Sequence, residues 1–288
     1  MKKFLPLIFA TLISAALCAC NCVDSAAPAA SAEQQNVSAN AGKRKIGIAL
    51  FTLRTRTIAE IVELLKDMQV DAIGLSTTPL GGGFDGVYTT PDMTPEQKAY
   101  LKKLLADNGI KIASYGVRSP QTEAEIRKML SFAKEMGIPL VLTESQGKAL
   151  EIWNRVAPEY GVKVALHNHA YNENTYFYPR TVAWLMRKYP NIYGCPDNGH
   201  WERSGINTVD GYKIYDGRIA ITHFKDIDKF DDLDGRAVAL GTGKVDLKAA
   251  LAELDRQKFD GYFMVEYEWN PEGNLEDVRK CVRFLKNN

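Results

Sequence analysis

Metal-binding and acid–base side chains recur in this sequence at the ends of short strand-like segments. The segments read LVLTE, VALHNH, YGCPDNGH, ITHFKD and FMVEYE, and all 4 histidines of the chain fall within them. Carboxylates and imidazoles are common ligands of divalent cations. Such a cation, facing a hydroxyl and a carbonyl of a sugar, can stabilise an enediolate. The side chains concerned are Glu144, His167, His169, Asp197, His200, His223, Lys225, Glu266 and Glu268.

Alternation along a strand indicates which of these side chains point the same way. Residues two apart share a face, so His167 faces with His169 and His223 faces with Lys225, and the two glutamates of VEYE are spaced alike. Taken singly, Glu144 could be a salt-bridge partner and His223 a hydrogen-bonded core residue. Several buried carboxylates and imidazoles are unfavourable without a cation to neutralise them. Their joint placement therefore predicts a metal site.

Strand-like and helix-like segments alternate along the chain, the pattern of a parallel sheet with crossover helices. Eight strands with intervening helices fit a single (β/α)₈ barrel, a TIM barrel, whose strand ends meet at one face. An open doubly wound sheet is the alternative, but the first strand–helix turn lacks a dinucleotide-type glycine pattern. The predicted strands are residues 46–53, 71–76, 111–117, 139–143, 162–168, 192–196, 219–224 and 262–268.

Local signals mark several helix ends. Thr94 is expected to cap a helix that begins at Pro95, and Gly137 is expected to end the helix that follows the third strand. The glycine-rich segment at 81–84 is predicted to be part of a long loop.

The first 20 residues are predicted to be a lipoprotein signal peptide. Two lysines precede an apolar run at 4–17, which is too short and wrongly flanked for a stable membrane span. The following LCAC resembles the lipobox of bacterial lipoproteins, which implies lipidation of Cys20, with Cys22 as the rival position. A plain secretory signal cleaved nearby is the alternative. Both interpretations place the mature protein outside the cytoplasm, in the periplasm or anchored at the outer membrane.

Residues 21–42 are predicted to be a flexible tether ahead of a catalytic domain at 43–288. The tether is rich in Ala, Ser, Asn and Gln and contains no Leu, Ile or aromatic residue, so it cannot bury enough apolar surface to fold. In the domain, Cys195 and Cys281 are expected to be free thiols. The formal net charge of +1, with its only basic run at 43–45, argues against a nucleic-acid partner.

The ordered motif series resembles the xylose isomerase-like TIM-barrel superfamily, in particular its sugar phosphate isomerase/epimerase group. The resemblance lies in LVLTE, VALHNH, DNGH, HFKD, LGTGKVD and VEYE, and it spans almost the whole folded part. It implies one divalent ion (Mn²⁺, Co²⁺ or Mg²⁺) held from strands four, six, seven and eight. Carried onto this sequence, the implied ligands are Glu144, Asp197, His223 and Glu266. The implied substrate-contacting or supporting residues are His167, His169, Lys225 and His200.

Several positions do not follow the family pattern or have two interpretations. Ser76 stands where many relatives carry a glutamate, and Thr242 stands where an acidic residue is common. Both are expected near the substrate, so they leave the identity of the sugar open. Glu268 and Asp226 are expected to be solvated or structural. Trp201 is either a sugar-stacking platform or a packing residue, and we place it among the candidate substrate-binding residues.

The implied chemistry is removal of a proton from a carbon beside a carbonyl. Glu144 and Glu266 would exchange protons with the substrate, while His167, His169 and Lys225 would donate to a developing or leaving oxygen. An exported protein without a basic phosphate cradle should meet non-phosphorylated sugars. We therefore expect a 3-keto-glycoside lyase or hydratase, with a sugar isomerase or epimerase acting through an enediolate as the alternative.

Two other classes remain open. A non-catalytic sugar-binding lipoprotein would have kept the barrel but not the metal. A phosphodiesterase would need more metal ligands and a basic face. The sequence leaves the oligomeric state undetermined.

Overall fold

Eight parallel strands form the centre of the molecule. The computed structural model describes residues 44–173 and 176–288. Each strand pairs in parallel with the next one around the sheet, and β1 pairs with β8. The strands are β1 (Ile46–Ala49), β2 (Ala72–Leu75), β3 (Lys111–Arg118), β4 (Leu140–Thr143), β5 (Lys163–His167), β6 (Ile192–Cys195), β7 (Thr222–Phe224) and β8 (Phe263–Val265).

The seam between β6 and β7 closes the barrel with fewer contacts than the other strand pairs. Only two isolated parallel bridges are found there in the described chain, Gly194 with Ile219 and Asp197 with His223. The His223 amide donates to the Pro196 carbonyl at 3.0 Å. The predicted TIM barrel is therefore confirmed, and its loosest seam lies between two strands that carry candidate site residues.

Helices surround the strands and begin where the sequence signals predict. Thr94 caps the helix that opens with Pro95, and its side chain accepts from the Gln97 amide. Gly137 ends the third helix in the left-handed region at φ 70°. The described helices are α1 (Ile58–Met68), α2 (Pro95–Asp107), α3 (Glu123–Met136), α4 (Lys148–Tyr160), α5 (Pro179–Lys188), α6 (Asn198–Arg203), α7 (Thr208–Ile214), α8 (Leu247–Arg256) and α9 (Leu275–Asn287).

Two local predictions were wrong, and two short helices were not predicted. The first strand ends at Ala49, and Leu50–Leu53 is a 3₁₀ helix rather than its continuation. The glycine-rich segment is the turn of a β-hairpin formed by Pro79–Gly81 and Phe84–Tyr88, because its glycines supply the positive φ angles that a tight turn needs. The short helices α6 and α7 had no counterpart in the prediction.

The apolar core lies in two layers. One fills the space between the strands and the surrounding helices. The other fills the barrel interior with alanine, leucine, isoleucine and cysteine side chains and with Met264, whose Sδ lies so close to Gly47 that a Cβ there would come within 2.6 Å. This packing makes the barrel a solid support for its carboxyl-terminal face.

Arg44 and Lys45 lie ahead of β1, at the end of the barrel opposite to its carboxyl-terminal face. Arg44 forms a two-bond ion pair with Asp255 at 2.7 and 2.9 Å and also donates to the Asn288 carbonyl. Lys45 pairs with Asp260 at 2.6 Å. These contacts fasten the start of the described chain to the amino-terminal end of the barrel.

The remaining domain predictions concern mainly the residues before Arg44, where the described chain begins. The signal peptide at 1–20, the lipidated Cys20 and the tether at 21–42 lie outside the described residues. Among the residues that are described, we find no helix with the length and hydropathy needed to cross a bilayer. Cys195 and Cys281 are buried free thiols, as predicted.

Candidate metal and acid–base site

Two asparagines fix the strand ends that carry the candidate ligands. The Asn168 side chain donates to the Asp197 carbonyl at 3.0 Å and accepts from the Asp197 amide at 2.9 Å. Asn198 makes the same reciprocal pair with the backbone of Lys225, at 2.8 Å in both directions. These clamps link the ends of β5, β6 and β7, so the side chains between them are held in register.

Four residues bring ligand atoms to one point at this face. Their candidate ligating atoms all lie within 4.8 Å of one another, and all four residues are buried. The His223 Nδ1 atom lies 3.0 Å from Glu266 Oε2 and 3.1 Å from His167 Nε2. The four residues are His167, Asp197, His223 and Glu266.

Three of the four ligands implied by the family resemblance, Asp197, His223 and Glu266, thus lie together. The fourth, Glu144, lies beside this group, in contact with His167. Glu144 Oε1 contacts His167 Nδ1 at 2.8 Å and His169 Nε2 at 3.4 Å. His167 completes the central group in its place. Since a carboxylate on the far nitrogen orients a metal-binding imidazole, Glu144 is placed to hold His167 toward the centre.

Lys225 lies behind the cluster and does not reach the cavity. Its side chain is fully buried, and its Nζ lies 2.8 Å from both Asp197 Oδ2 and Glu266 Oε2, and 2.7 Å from Glu268 Oε1. The role predicted for Lys225, donation to the substrate, does not fit this position. Lys225 instead positions three carboxylates. Arg203 supports the same group by binding Glu268 Oε2 at 2.9 Å.

Both central carboxylates are ionised at neutral pH. Burial would raise the pKa of Asp197, but Lys225 and His200 bring it well below its usual range. Burial would likewise raise the pKa of Glu266, but His223 and Lys225 outweigh that effect and lower it. An ionised carboxylate can bind a cation or accept a proton.

Neighbouring imidazoles differ in charge. Burial would lower the pKa of His167, but Asp197 and Glu144 raise it to about 9. Burial, together with Lys225, lowers the pKa of His200 to about 3. Groups whose pKa values are driven apart in one site are candidates for opposite acid–base roles.

The residues present fit a divalent cation. Asp197 Oδ2 is buried, and no donor approaches it with hydrogen-bonding geometry, although Lys225 Nζ lies 2.8 Å away. Four carboxylates, those of Glu144, Asp197, Glu266 and Glu268, meet in and around the cluster with only two permanent cations, Lys225 and Arg203. In the metal-free site a protonated His167 offsets part of this excess negative charge, and a divalent cation would offset it in place of that proton. The donor set of imidazoles and carboxylates suits Zn²⁺ or Mn²⁺.

A cavity of about 370 Å³ opens onto the cluster. A pocket of this size is in the range that holds small-molecule ligands. Its polar lining side chains are supplied mainly by the later strands. Those from the later strands are His167, His169, His200, His223, Glu266 and Glu268, and Arg54, Ser76, Thr77 and Ser114 complete the polar lining.

Trp201 does not line this cavity, so of its two interpretations the position favours packing over stacking on a sugar. The side chain is fully buried, with ring centroids 5.9 Å from Tyr212 and 5.2 Å from Tyr215. The turn of α6 directs it toward α7 and the core. Trp201 is a packing residue.

Two residues of the cavity lining were not predicted to lie there. Glu268 was expected to be solvated or structural, but it lines the cavity, and its spacing of two from Glu266 was a usable signal. Phe51 also lines the cavity, but the prediction of a continuous first strand gave no indication of it.

Asp226 is structural, as expected, because its carboxylate accepts from four backbone amides, those of Ile227, Gly241, Gly243 and Val245.

Known proteins resemble this chain over most of its length. The family model described as the xylose isomerase-like TIM barrel matches residues 50–288. The inosose dehydratase of Clostridium beijerinckii (strain ATCC 51743 / NCIMB 8052) is 24% identical over 242 residues, covering 67% of this chain and 81% of that protein.

Solved structures share the fold over most of the chain. A protein from Parabacteroides distasonis ATCC 8503 superposes with a TM-score of 0.69 at 28% identity, covering 85% of this chain and 99% of that one. The IolI protein, solved with a bound zinc atom, gives a TM-score of 0.66 at 18% identity, covering 84% of this chain and 98% of that one.

Proposed function

Because the chain belongs to the xylose isomerase-like TIM-barrel family, a family of sugar-modifying enzymes, we propose that it is a metal-dependent 3-keto-glycoside lyase or hydratase. The reaction begins with removal of the proton next to the ketone of a non-phosphorylated sugar. The observation that carries the proposal is the convergence of His167, Asp197, His223 and Glu266 within 4.8 Å beside a cavity lined by imidazoles and carboxylates.

The charges of the site indicate which residue accepts a proton and which residue donates one. Glu266 lines the cavity and has a lowered pKa, so it is ionised and can accept the proton. His169 lines the same cavity and can donate to an oxygen that gains charge or leaves, whereas the two ring nitrogens of His167 face Glu144 and the central group. A divalent ion held by the central group would supply positive charge next to the substrate carbonyl.

Two known proteins support the choice within this chemistry. The relative from C. beijerinckii is named an inosose dehydratase, and dehydration next to a ketone begins with the same proton removal. The IolI barrel contains zinc, which supports a divalent ion in a barrel of this fold. Epimerisation or isomerisation through an enediolate is the second candidate, favoured by the additional cavity carboxylate of Glu268. It would return the proton to carbon instead of expelling a substituent.

The test is to follow a 3-keto-glucoside by NMR in D₂O with the purified protein and Mn²⁺ or Co²⁺. Release of the aglycone together with an unsaturated or hydrated keto-sugar is expected. Glu266→Gln should abolish the reaction, whereas Glu272→Gln, an exposed glutamate of the neighbouring loop, should leave it unchanged. Deuterium uptake beside the carbonyl with the glycosidic bond intact would instead identify an epimerase or isomerase.

Export remains part of the proposal. The signal peptide and the candidate lipid attachment at Cys20 predict a periplasmic or outer-membrane-anchored enzyme, which would meet glycosides rather than phosphorylated sugars. Metabolic labelling with a palmitate analogue, compared between the natural chain and Cys20→Ser, tests the attachment.

A further inference from the structure

The cavity has an apolar half as well as the polar half described above. The polar groups come from the ends of β5 to β8. The rest of the lining comes from β1 to β4 and the segments that follow β1 and β2. Its apolar side chains are Ala49, Leu50, Phe51, Val117 and Leu142, with Arg54, Ser76, Thr77 and Ser114 among them. Of the apolar side chains, Phe51 and Val117 are the accessible ones, because Ala49, Leu50 and Leu142 are buried.

Phe51 is the aromatic member of the apolar half, and its position is fixed. It is 46% exposed, although it lines a cavity rather than an outer surface. The Arg54 guanidinium lies 4.4 Å from the ring centroid. Arg54 also donates to the Phe51 carbonyl at 2.9 Å and to the Glu268 carbonyl at 3.1 Å. These two bonds hold the Arg54 guanidinium against the Phe51 ring, which stays partly exposed.

An exposed aromatic ring held in a cavity indicates a ligand with an apolar part. Water gains little from contact with Phe51 or Val117, whereas the imidazole and carboxylate groups of the cavity suit the hydroxyls and carbonyl of a sugar. A ligand that matches both halves carries a sugar at one end and an apolar group at the other.

The substituent expelled by the proposed reaction would supply that apolar group. In a 3-keto-glycoside, Glu266 takes the C2 proton, the electron pair forms the C1–C2 double bond, and the C1–O bond breaks. The aglycone departs as an oxyanion and takes up a proton to become the free alcohol or phenol. If the leaving group were only hydroxide, the apolar half would have no part of the substrate to contact.

We propose that the cavity wall formed by Phe51 and Val117 is an aglycone subsite, so that the enzyme acts on glycosides with aryl or other apolar aglycones. The bond cleavage in this inference rests on the proposed function. The preference for an apolar aglycone rests on the residues that line the cavity.

The test compares two ligands that differ only in the aglycone, 4-nitrophenyl β-glucoside and methyl β-glucoside, and their 3-keto derivatives. Binding of the two unoxidised glucosides is measured by ligand-observed NMR, and turnover of the two keto-glucosides is measured as kcat/KM. Phe51→Ala should weaken aryl binding and lower kcat/KM for the aryl substrate about tenfold, the size expected for one lost ring contact. The methyl ligands should change less than twofold.

Matched variants separate the ring contact from a general effect. Phe51→Leu keeps an apolar side chain and should retain most of the aryl preference. Tyr88→Ala removes an aromatic ring of similar exposure, 49%, that does not line the cavity, and it should change nothing. Thermal unfolding of each variant checks that the fold is retained.

Each outcome decides one of the two proposals. Loss of aryl binding in Phe51→Ala without turnover of either keto-glucoside supports the subsite and contradicts the lyase. Turnover with equal aryl and methyl values in the natural protein and in Phe51→Ala supports the lyase and overturns the subsite. Equal binding of the aryl and methyl glucosides by the natural protein also overturns it.

Discussion

Replacing Lys225 with methionine should destabilise the metal-free protein strongly. The side chain is fully buried, and its ammonium contacts carboxylate oxygens of Asp197, Glu266 and Glu268 at 2.7–2.8 Å. Burial would lower the pKa of Lys225, but these carboxylates raise it, so the residue is charged. Methionine has a similar length and no charge. The substitution therefore removes the cation that the three carboxylates share, so that Glu268 keeps Arg203 and Glu266 keeps His223, while Asp197 loses its permanent cation.

The expected loss of stability in Lys225→Met follows from the burial of these charged groups. Removing one partner from a buried ion pair costs roughly 3–5 kcal/mol, because the other charge stays in a low-dielectric surrounding. For a domain of this size, each kcal/mol shifts Tm by about 2–4 °C. We therefore expect Tm to fall by about 10 °C in EDTA.

The assay is thermal unfolding followed by circular dichroism, first in EDTA and then with Mn²⁺. Lys229→Met is the matched control, because Lys229 is largely exposed and pairs with Asp232 at 3.2 Å. Exposed pairs contribute only about 0–1 kcal/mol, so its Tm should scarcely move. Mn²⁺ should raise the Tm of Lys225→Met more than that of the natural protein, since it restores positive charge between Asp197 and Glu266. If Lys225→Met and Lys229→Met unfold at the same temperature in EDTA, the reasoning is refuted.

Two further predictions concern pH and a loop. In EDTA, stability should decline between about pH 6.5 and 9, because the folded-state pKa of His167, about 9, exceeds the value of about 6.5 for an unfolded imidazole. The stabilisation is complete below the lower value and lost as pH rises through the higher one, up to about 3 kcal/mol. Urea unfolding at both pH values measures it, and an equal decline in His167→Gln would contradict it. Asp226→Ala should cost about 2–4 kcal/mol by the same assay, because four backbone amides lose their acceptor. The exposed control Asp234→Ala should cost less than about 0.5 kcal/mol, and matching values for the two variants would show that the loop does not need the carboxylate.

The order of strands and the residues at their ends could be predicted from the sequence. Strand alternation and helix-capping signals act over a few residues, so they are readable without the fold. Asp197, His223 and Glu266 follow from such signals, because each lies at or beside the end of a strand whose direction the barrel fixes. Their meeting point follows from the parallel sheet rather than from any one motif.

The burial of a side chain and the position of local turns could not be predicted in the same way. Alternation assigns Lys225 to the side of the strand that faces the site, but it does not say that neighbouring side chains separate it from the cavity. Trp201 lies in a helix of six residues, which is too short to show a helical period. Phe51 depends on the change from strand to 3₁₀ helix after Ala49, and long-range packing determines that change.

The attachment of Arg44 and Lys45 to the amino-terminal end of the barrel has a consequence for orientation. β1 runs from Ile46 toward the cavity, so a support joined by a short linker ahead of Arg44 would contact the opposite end of the molecule. A chromatography bead, a biosensor chip or a lipid film used in this way would leave the cavity mouth facing the bulk solution. The immobilised protein would then take up its ligand by free diffusion, and its on-rate could be measured without steric interference from the support.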